Sequence, residues 1–217
     1  MPLLTHQFGS TAFQPSLKGT VLFELRSWLG RMIVRAKAPT KPYINIGSGT
    51  NVAEKFENLD FYFSGPSKGP RAIVGHDLRY PLPYDDESFA GAYSEHALEH
   101  LFPIHANHLL REVRRILKPG SIFRCAVPDL QKYVDFYVGK SVDDEFKKFS
   151  SGREAIWALT QNWGHLSVWD SESLISASLD AGFSSAMSKG FREGANADLL
   201  VDRQDRKWET LYVEAVR

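Results

Sequence analysis

The 217-residue chain has one cysteine, Cys125, which excludes an intrachain disulfide framework and any cysteine-rich zinc site. It has no net charge either, with 26 basic and 26 acidic residues. Bulk attraction therefore cannot bring a polyanion to it, and no nucleic-acid partner is expected. No apolar run approaches the roughly 18 residues of a membrane span, and the first residues lack the charged, apolar and small-residue pattern of a signal peptide. These absences lead us to expect a cytoplasmic address. With 43% hydrophobic and 24% charged residues, what remains is an ordinary globular composition, not a disordered or fibrous one.

Two regions differ in rhythm. In residues 1–41, Val21, Leu25, Trp28, Leu29, Met32 and Ile33 recur at helical spacing among Lys18, Arg26, Arg31, Arg35, Lys37 and Lys41. This pattern predicts a basic amphipathic helix, either docked by its apolar face or lying on an anionic membrane surface through residues 18–41. Residues 42–217 alternate short apolar runs with helices, the pattern of an α/β domain. Strands are expected at 43–46, 58–63, 72–75, 89–93, 122–127, 183–189 and 210–216. A helix is expected over 105–117, where Leu109, Leu110, Val113, Ile116 and Leu117 share a face and Pro119-Gly120 ends it. Residues 139–165 read as an insertion, with aromatics around it that either pack it or line a cleft.

The chemistry collects at strand ends. Gly47-Ser48-Gly49 follows the first strand, where backbone must pass close to a ligand without Cβ obstruction. Val52 occupies the third glycine position of the dinucleotide pattern, which counts against NAD. Asp60 ends the second strand and suits a pair of ribose hydroxyls, but it lies close enough behind the glycines that the intervening helix must be cut short or replaced by a loop. Asp77 ends the third strand and suits a purine amine, while Ser94-Glu95-His96 ends the fourth and forms a pocket floor. His96, His100 and His165 are candidate bases for a hydroxyl acceptor because imidazole titrates near working pH, with His100 the preferred one. The run His96-Ala97-Leu98-Glu99-His100 also matches the H-x-x-E-H zinc pattern. Its expected context is a long helix, so no metal is expected here.

The stretches Ile44-Asn45-Ile46-Gly47-Ser48-Gly49, Asn58-Leu59-Asp60, Tyr93 to Leu101, Leu110 to Gly120 and Val127-Pro128-Asp129-Leu130 together resemble the class I S-adenosylmethionine-dependent methyltransferases, in particular the small type 11 branch. The resemblance implies a Rossmann-like, doubly wound, mostly parallel seven-stranded sheet with a reversed C-terminal strand, and S-adenosylmethionine at its carboxyl edge. Carried over by position, Gly47, Ser48 and Gly49 would pass the methionine part of the cofactor and Asp60 would hold the ribose. Asp77 and Leu78 would face the adenine, and Ser94 or Glu95 would border the sulfonium. Asn45 departs from the acidic residue of many relatives. The implied function is methyl transfer to a small molecule or glycan precursor, at oxygen. The alternatives are a non-catalytic binding module with this fold, motivated by Asn45 and the shortened crossover, and a nucleotide-dependent Rossmann enzyme.

Overall fold

The computed structural model describes residues 17–33, 38–60 and 73–217. Its centre is a seven-stranded sheet built from β1 (Tyr43–Ile46), β2 (Phe56–Asp60), β3 (Ile73–Gly75), β4 (Phe89–Glu95), β5 (Leu117–Pro128), β6 (Ser185–Lys189) and β7 (Thr210–Val216). The spatial order is β3-β2-β1-β4-β5-β7-β6, with β7 antiparallel to both its neighbours. β1 to β5 are mutually parallel, so the doubly wound sheet with a reversed last strand is present. The expected second strand starts two residues earlier than read, and its last three residues, like Ala72, lie outside the described residues.

Parallel strands buried on both faces need near-continuous apolar runs. β1 has them in Ile44 and Ile46, and β4 in Phe89, Ala92 and Tyr93, all essentially inaccessible. The register aligns the strand ends: Ile46 stands opposite Leu59 and Ser94, and Asp60 opposite Gly75. The glycine turn, Asp60, Asp77 and Glu95 therefore issue from one edge. The order reverses between β1 and β4, which opens the crevice where such sheets bind ligands. The antiparallel β7 pairs Thr210 with Pro128, so the residues just before it reach that same edge.

α2 (Pro103–Ile116) begins with Pro103, tolerated where no intrahelical N–H bond is needed, and buries Ala106, Leu109, Leu110, Val113 and Ile116. α3 (Leu130–Tyr137) is capped by Asp129, α4 (Gly152–Gln161) by Ser151, and α5 (Ser171–Asp180) by an Asp170–Ser173 capping box. Tyr133, Phe146, Ala155, Leu159 and Trp208 form a second core that packs the 139–165 segment onto α3 and the approach to β7. Between β1 and β2 there is a loop and no helix, as the close approach of Asp60 to the glycines requires.

α1 (Leu17–Ile33) does not dock by an apolar stripe. Val21, Leu25 and Trp28 remain 57%, 49% and 51% exposed, while Ser27 is buried. Polar contacts hold the helix: Ser27 Oγ donates to Asp77 Oδ2 (2.5 Å), Glu24 pairs with Arg79 (2.8 Å), and the Arg79 guanidinium lies over the Phe23 ring. The side chains of Arg26, Arg31, Met32 and Ile33, and residues 34–37 entirely, lie outside the described residues. No helix among the described residues is long and apolar enough to cross a membrane.

Candidate active site

Gly47 adopts φ +70° and Gly49 φ +51°, left-handed conformations that side chains disfavour. A Cβ on Gly47 would sit 2.2 Å from the Ala97 Cβ, whereas a Cβ on Gly49 would meet nothing within 4 Å. The turn is thus closed on its inner side and open on its outer side, where it borders a cavity of about 190 Å³. Asp60 Oδ2 accepts the Gly49 N–H at 2.7 Å, so the end of β2 fixes the turn from below. Asn45 donates to the Asn51 carbonyl (2.9 Å) and holds the returning loop. Glu95 also lines this cavity. Its Oε1 accepts the Arg203 N–H at 3.0 Å, and its buried Oε2 has no hydrogen-bond partner. Burial raises the Glu95 pKa despite that bond. An unpartnered carboxylate oxygen beside an open glycine turn suits a ligand ammonium group.

A larger cavity of about 450 Å³ adjoins the first, and His96 and Arg206 line both. Its walls include Tyr133, Phe149, Trp163 and Trp208, with Glu99, His100, His165, Lys148, Asn162 and Glu209 among them. His165 comes from far along the chain because the Glu99 carbonyl accepts the N–H groups of Leu166 (2.7 Å) and Ser167 (3.1 Å). The His100 and His165 rings then meet edge to face at 5.0 Å.

The hydrogen bonds assign the tautomers. Thr210 Oγ1 donates to the Arg206 carbonyl (2.7 Å), so it accepts from His96 Nε2–H (2.8 Å). The Leu159 carbonyl can only accept, so His165 carries its proton on Nδ1 (2.6 Å) and leaves Nε2 with a lone pair. Burial pushes His96 down to about 3 and His100 to about 4, and lowers His165. All three rings are neutral at pH 7. Burial pushes Glu99 the other way, to about 8, and neither of its side-chain oxygens has a hydrogen-bond partner.

The structure brings Gly47, Ser48, Gly49, Glu95 and the three histidines to these two adjoining cavities. Asp60 stands behind the turn rather than in the cavity wall. Asp77 is engaged elsewhere: it pairs with Arg79 (2.7 Å) and accepts from Ser27. Leu78 belongs to the main core, and Ser94 is buried within β4. The H-x-x-E-H run occupies a strand end and a single 3-10 turn, Leu98–His100, not the helix that the protease pattern needs. Sequence reading met Glu99 only as part of the H-x-x-E-H run and missed Arg203, Arg206, Trp208 and Glu209. The last four arrive only because β7 runs backwards, and no local pattern marks them.

The methyltransferase domain family matches residues 63–125, a stretch that ends within β5. Part of the chain thus matches a methyltransferase domain, and the sheet around it has the order β3-β2-β1-β4-β5-β7-β6 with a reversed β7. Solved structures share this fold. One is an S-adenosylmethionine-dependent methyltransferase of Thermotoga maritima, 16% identical, with a TM-score of 0.52 over 92% of this chain and 93% of that one. Another comes from Archaeoglobus fulgidus, 15% identical, with a TM-score of 0.51 over 90% and 94%. A third is the Burkholderia thailandensis 1,6-didemethyltoxoflavin-N1-methyltransferase with its acceptor and S-adenosylhomocysteine bound, 14% identical, with a TM-score of 0.50 over 90% and 77%. No curated protein matches the sequence.

Proposed function

We propose that this methyltransferase binds S-adenosylmethionine along the glycine turn and methylates a hydroxyl of a small molecule or glycan precursor held in the larger cavity. The observation that carries the reading is the junction of the two cavities at His96 and Arg206. One cavity offers backbone and a carboxylate, and the other offers aromatic walls with polar groups between them. When bound, the cofactor supplies an electrophilic methyl group on a sulfonium. Gly47 and Gly49 give its amino-acid part room, Glu95 Oε2 takes its ammonium, and Asp60 acts from behind, holding the turn through the Gly49 N–H. Asp77 could reach an adenine only by releasing Ser27 or Arg79.

A cavity of about 450 Å³ lies in the usual small-molecule range of roughly 300–1,000 Å³. Its mixture of rings and donors suits a polyhydroxylated acceptor. Methyl transfer chiefly demands alignment of donor and acceptor, which Arg206 and Trp208 provide from fixed positions: Arg206 is paired with Glu209 (2.9 Å), and Trp208 lies under the Lys148 ammonium (3.5 Å to the ring centre). A hydroxyl acceptor must also lose a proton. Burial lowers the His100 pKa to about 4, which makes this ring a weak base for that at neutral pH.

Calorimetric titration with S-adenosylmethionine and S-adenosylhomocysteine tests the cofactor half. We expect micromolar affinity, weakened at least tenfold in Glu95→Gln and Asp60→Ala. Absence of binding at millimolar ligand would leave only a binding module with this fold. Transfer of labelled methyl groups to a panel of sugars and other hydroxylated molecules tests the acceptor, and label found only on amines would overturn O-methylation.

A peripheral membrane contact through residues 18–41 is supported by the exposed Val21, Leu25 and Trp28 on α1, next to Lys18. Co-sedimentation with anionic vesicles should fall when Val21, Leu25 and Trp28 are all replaced by Ser. Equal sedimentation of both proteins would remove the idea.

A further inference from the structure

We propose that Glu99, His100 and His165 bind one divalent first-row transition ion, with zinc the best match, at the floor of the larger cavity. One ligand atom from each lies within 4.8 Å of the others, and Glu99 Oε1 is 4.0 Å from His100 Nε2. Metal–ligand bonds of about 2.0–2.2 Å place ligand atoms roughly 3–3.5 Å apart. Closing the set thus needs roughly one to two ångströms of movement, part of which the partly exposed His100 ring can supply.

Three observations favour an ion over chance proximity. Glu99 is 1% exposed, and both its carboxylate oxygens lack a hydrogen-bond partner. A buried polar group in that state costs free energy that a cation would recover. His165 is held by its Nδ1–H on the Leu159 carbonyl (2.6 Å), the outer hydrogen bond that fixes metal-binding imidazoles and aims the other nitrogen at the metal. Finally, the two cations lining this cavity are engaged with other groups: Arg206 pairs with Glu209 at 2.9 Å, and the Lys148 ammonium lies over the Trp208 ring.

The donor set selects the metal. Two imidazoles and one carboxylate favour zinc, iron or manganese over magnesium or calcium, which prefer oxygen ligands throughout. Three protein ligands leave coordination positions open toward the cavity, where an oxygen of the acceptor could bind and lose its proton more readily. The set also differs from the H-x-x-E-H reading. His96, the first histidine of that run, gives Nε2 to Thr210 (2.8 Å) and has Nδ1 3.5 Å from Glu99 Oε1, so it flanks Glu99 without joining the three-residue group, while His165 enters from 65 residues beyond His100.

This site does not depend on the cofactor reading, and the test keeps the two apart. The full chain, dialysed against a chelator and then freed of it, is titrated calorimetrically with zinc chloride, and in parallel with S-adenosylhomocysteine. We expect one zinc equivalent per chain, with at least tenfold weaker binding in Glu99→Gln, His100→Ala and His165→Ala and unchanged binding in His105→Ala on α2. Retained S-adenosylhomocysteine affinity shows which variants are folded. His100→Ala, at a partly exposed position, remains informative if the buried Glu99→Gln fails that check. No zinc binding by the parent chain, or undiminished binding in the folded variants, overturns the proposal.

Discussion

Gly47 shows how much a single position can decide. Its φ of +70° and the 2.2 Å approach of a notional Cβ to Ala97 mean that Gly47→Ala must both strain the backbone and push the turn away from Ala97, just ahead of the Leu98–His100 turn. The left-handed conformation alone costs about 1–2 kcal/mol. Gly49→Ala meets only the backbone cost, because nothing lies within 4 Å of its Cβ position. We therefore expect Gly47→Ala to lose stability and at least tenfold in S-adenosylhomocysteine affinity, with Gly49→Ala clearly more stable than Gly47→Ala. Thermal melts and titrations of the pair check this, and equal melting points would refute the packing argument. The glycines, Glu95, His96 and His100 could be picked out as candidates because they close or closely follow a strand end, where chemistry and spacing coincide, whereas His165 lies in the turn after α4. Glu99 was visible only as a letter in a motif. Its burial and lack of partners come from the loop that folds 162–169 over it, which has no sequence signal.

At the scale of elements, the strands of the parallel half and α2 were readable from periodicity, and their ends moved by only a few residues. α1 was readable as a helix but not in how it attaches. Its apolar positions suggested a stripe facing the domain, whereas Ser27, a small polar residue, makes the buried contact. That contact ties the helix to a titrating group. Burial alone would raise the Asp77 carboxyl, but hydrogen bonds from Arg79 and Ser27 outweigh it and hold the pKa below the usual 3.8. A lowered folded-state pKa contributes stability above the unfolded value, and that contribution is lost as pH falls through the folded value. α1 should therefore remain docked from neutral pH to about pH 4 and loosen below it. Hydrogen exchange of the α1 amides, corrected for intrinsic rates, should show protection falling in that acid range. Asp77→Asn should bring the same loss to pH 7, and full α1 protection in that variant would show that the carboxylate does not hold the helix.

For the molecule as a whole, the rhythm of strands and helices pointed to an α/β domain and the family resemblance to its doubly wound sheet with a reversed last strand, but nothing in the sequence showed what locks the antiparallel edge. Arg124 on β5 is fully buried, and its guanidinium bonds both oxygens of Asp202 (2.8 and 2.5 Å), the carbonyls of Gly190 and Glu193, and Glu214 on β7 (3.4 Å). A buried arginine inside a strand reads in the sequence as an interruption of an apolar run. Its partners lie 66 to 90 residues away, beyond the reach of any local pattern. Structurally it joins the parallel half to β7 and to the segment ahead of it, the same segment that delivers Arg203, Arg206 and Trp208 to the cavities. Removing one member of such a group leaves uncompensated buried charge and typically costs about 3–5 kcal/mol. For a chain of this size that is a fall in Tm of roughly 6–20 °C. Arg124→Leu should show that fall, since it leaves Asp202 and Glu214 facing each other without a cation. The cost should appear in cofactor affinity too, because Arg203, which donates to Glu95, adjoins Asp202. A melting point within a degree or two of the parent would mean that packing of β5 against β7, not this charge network, holds the edge of the sheet in place.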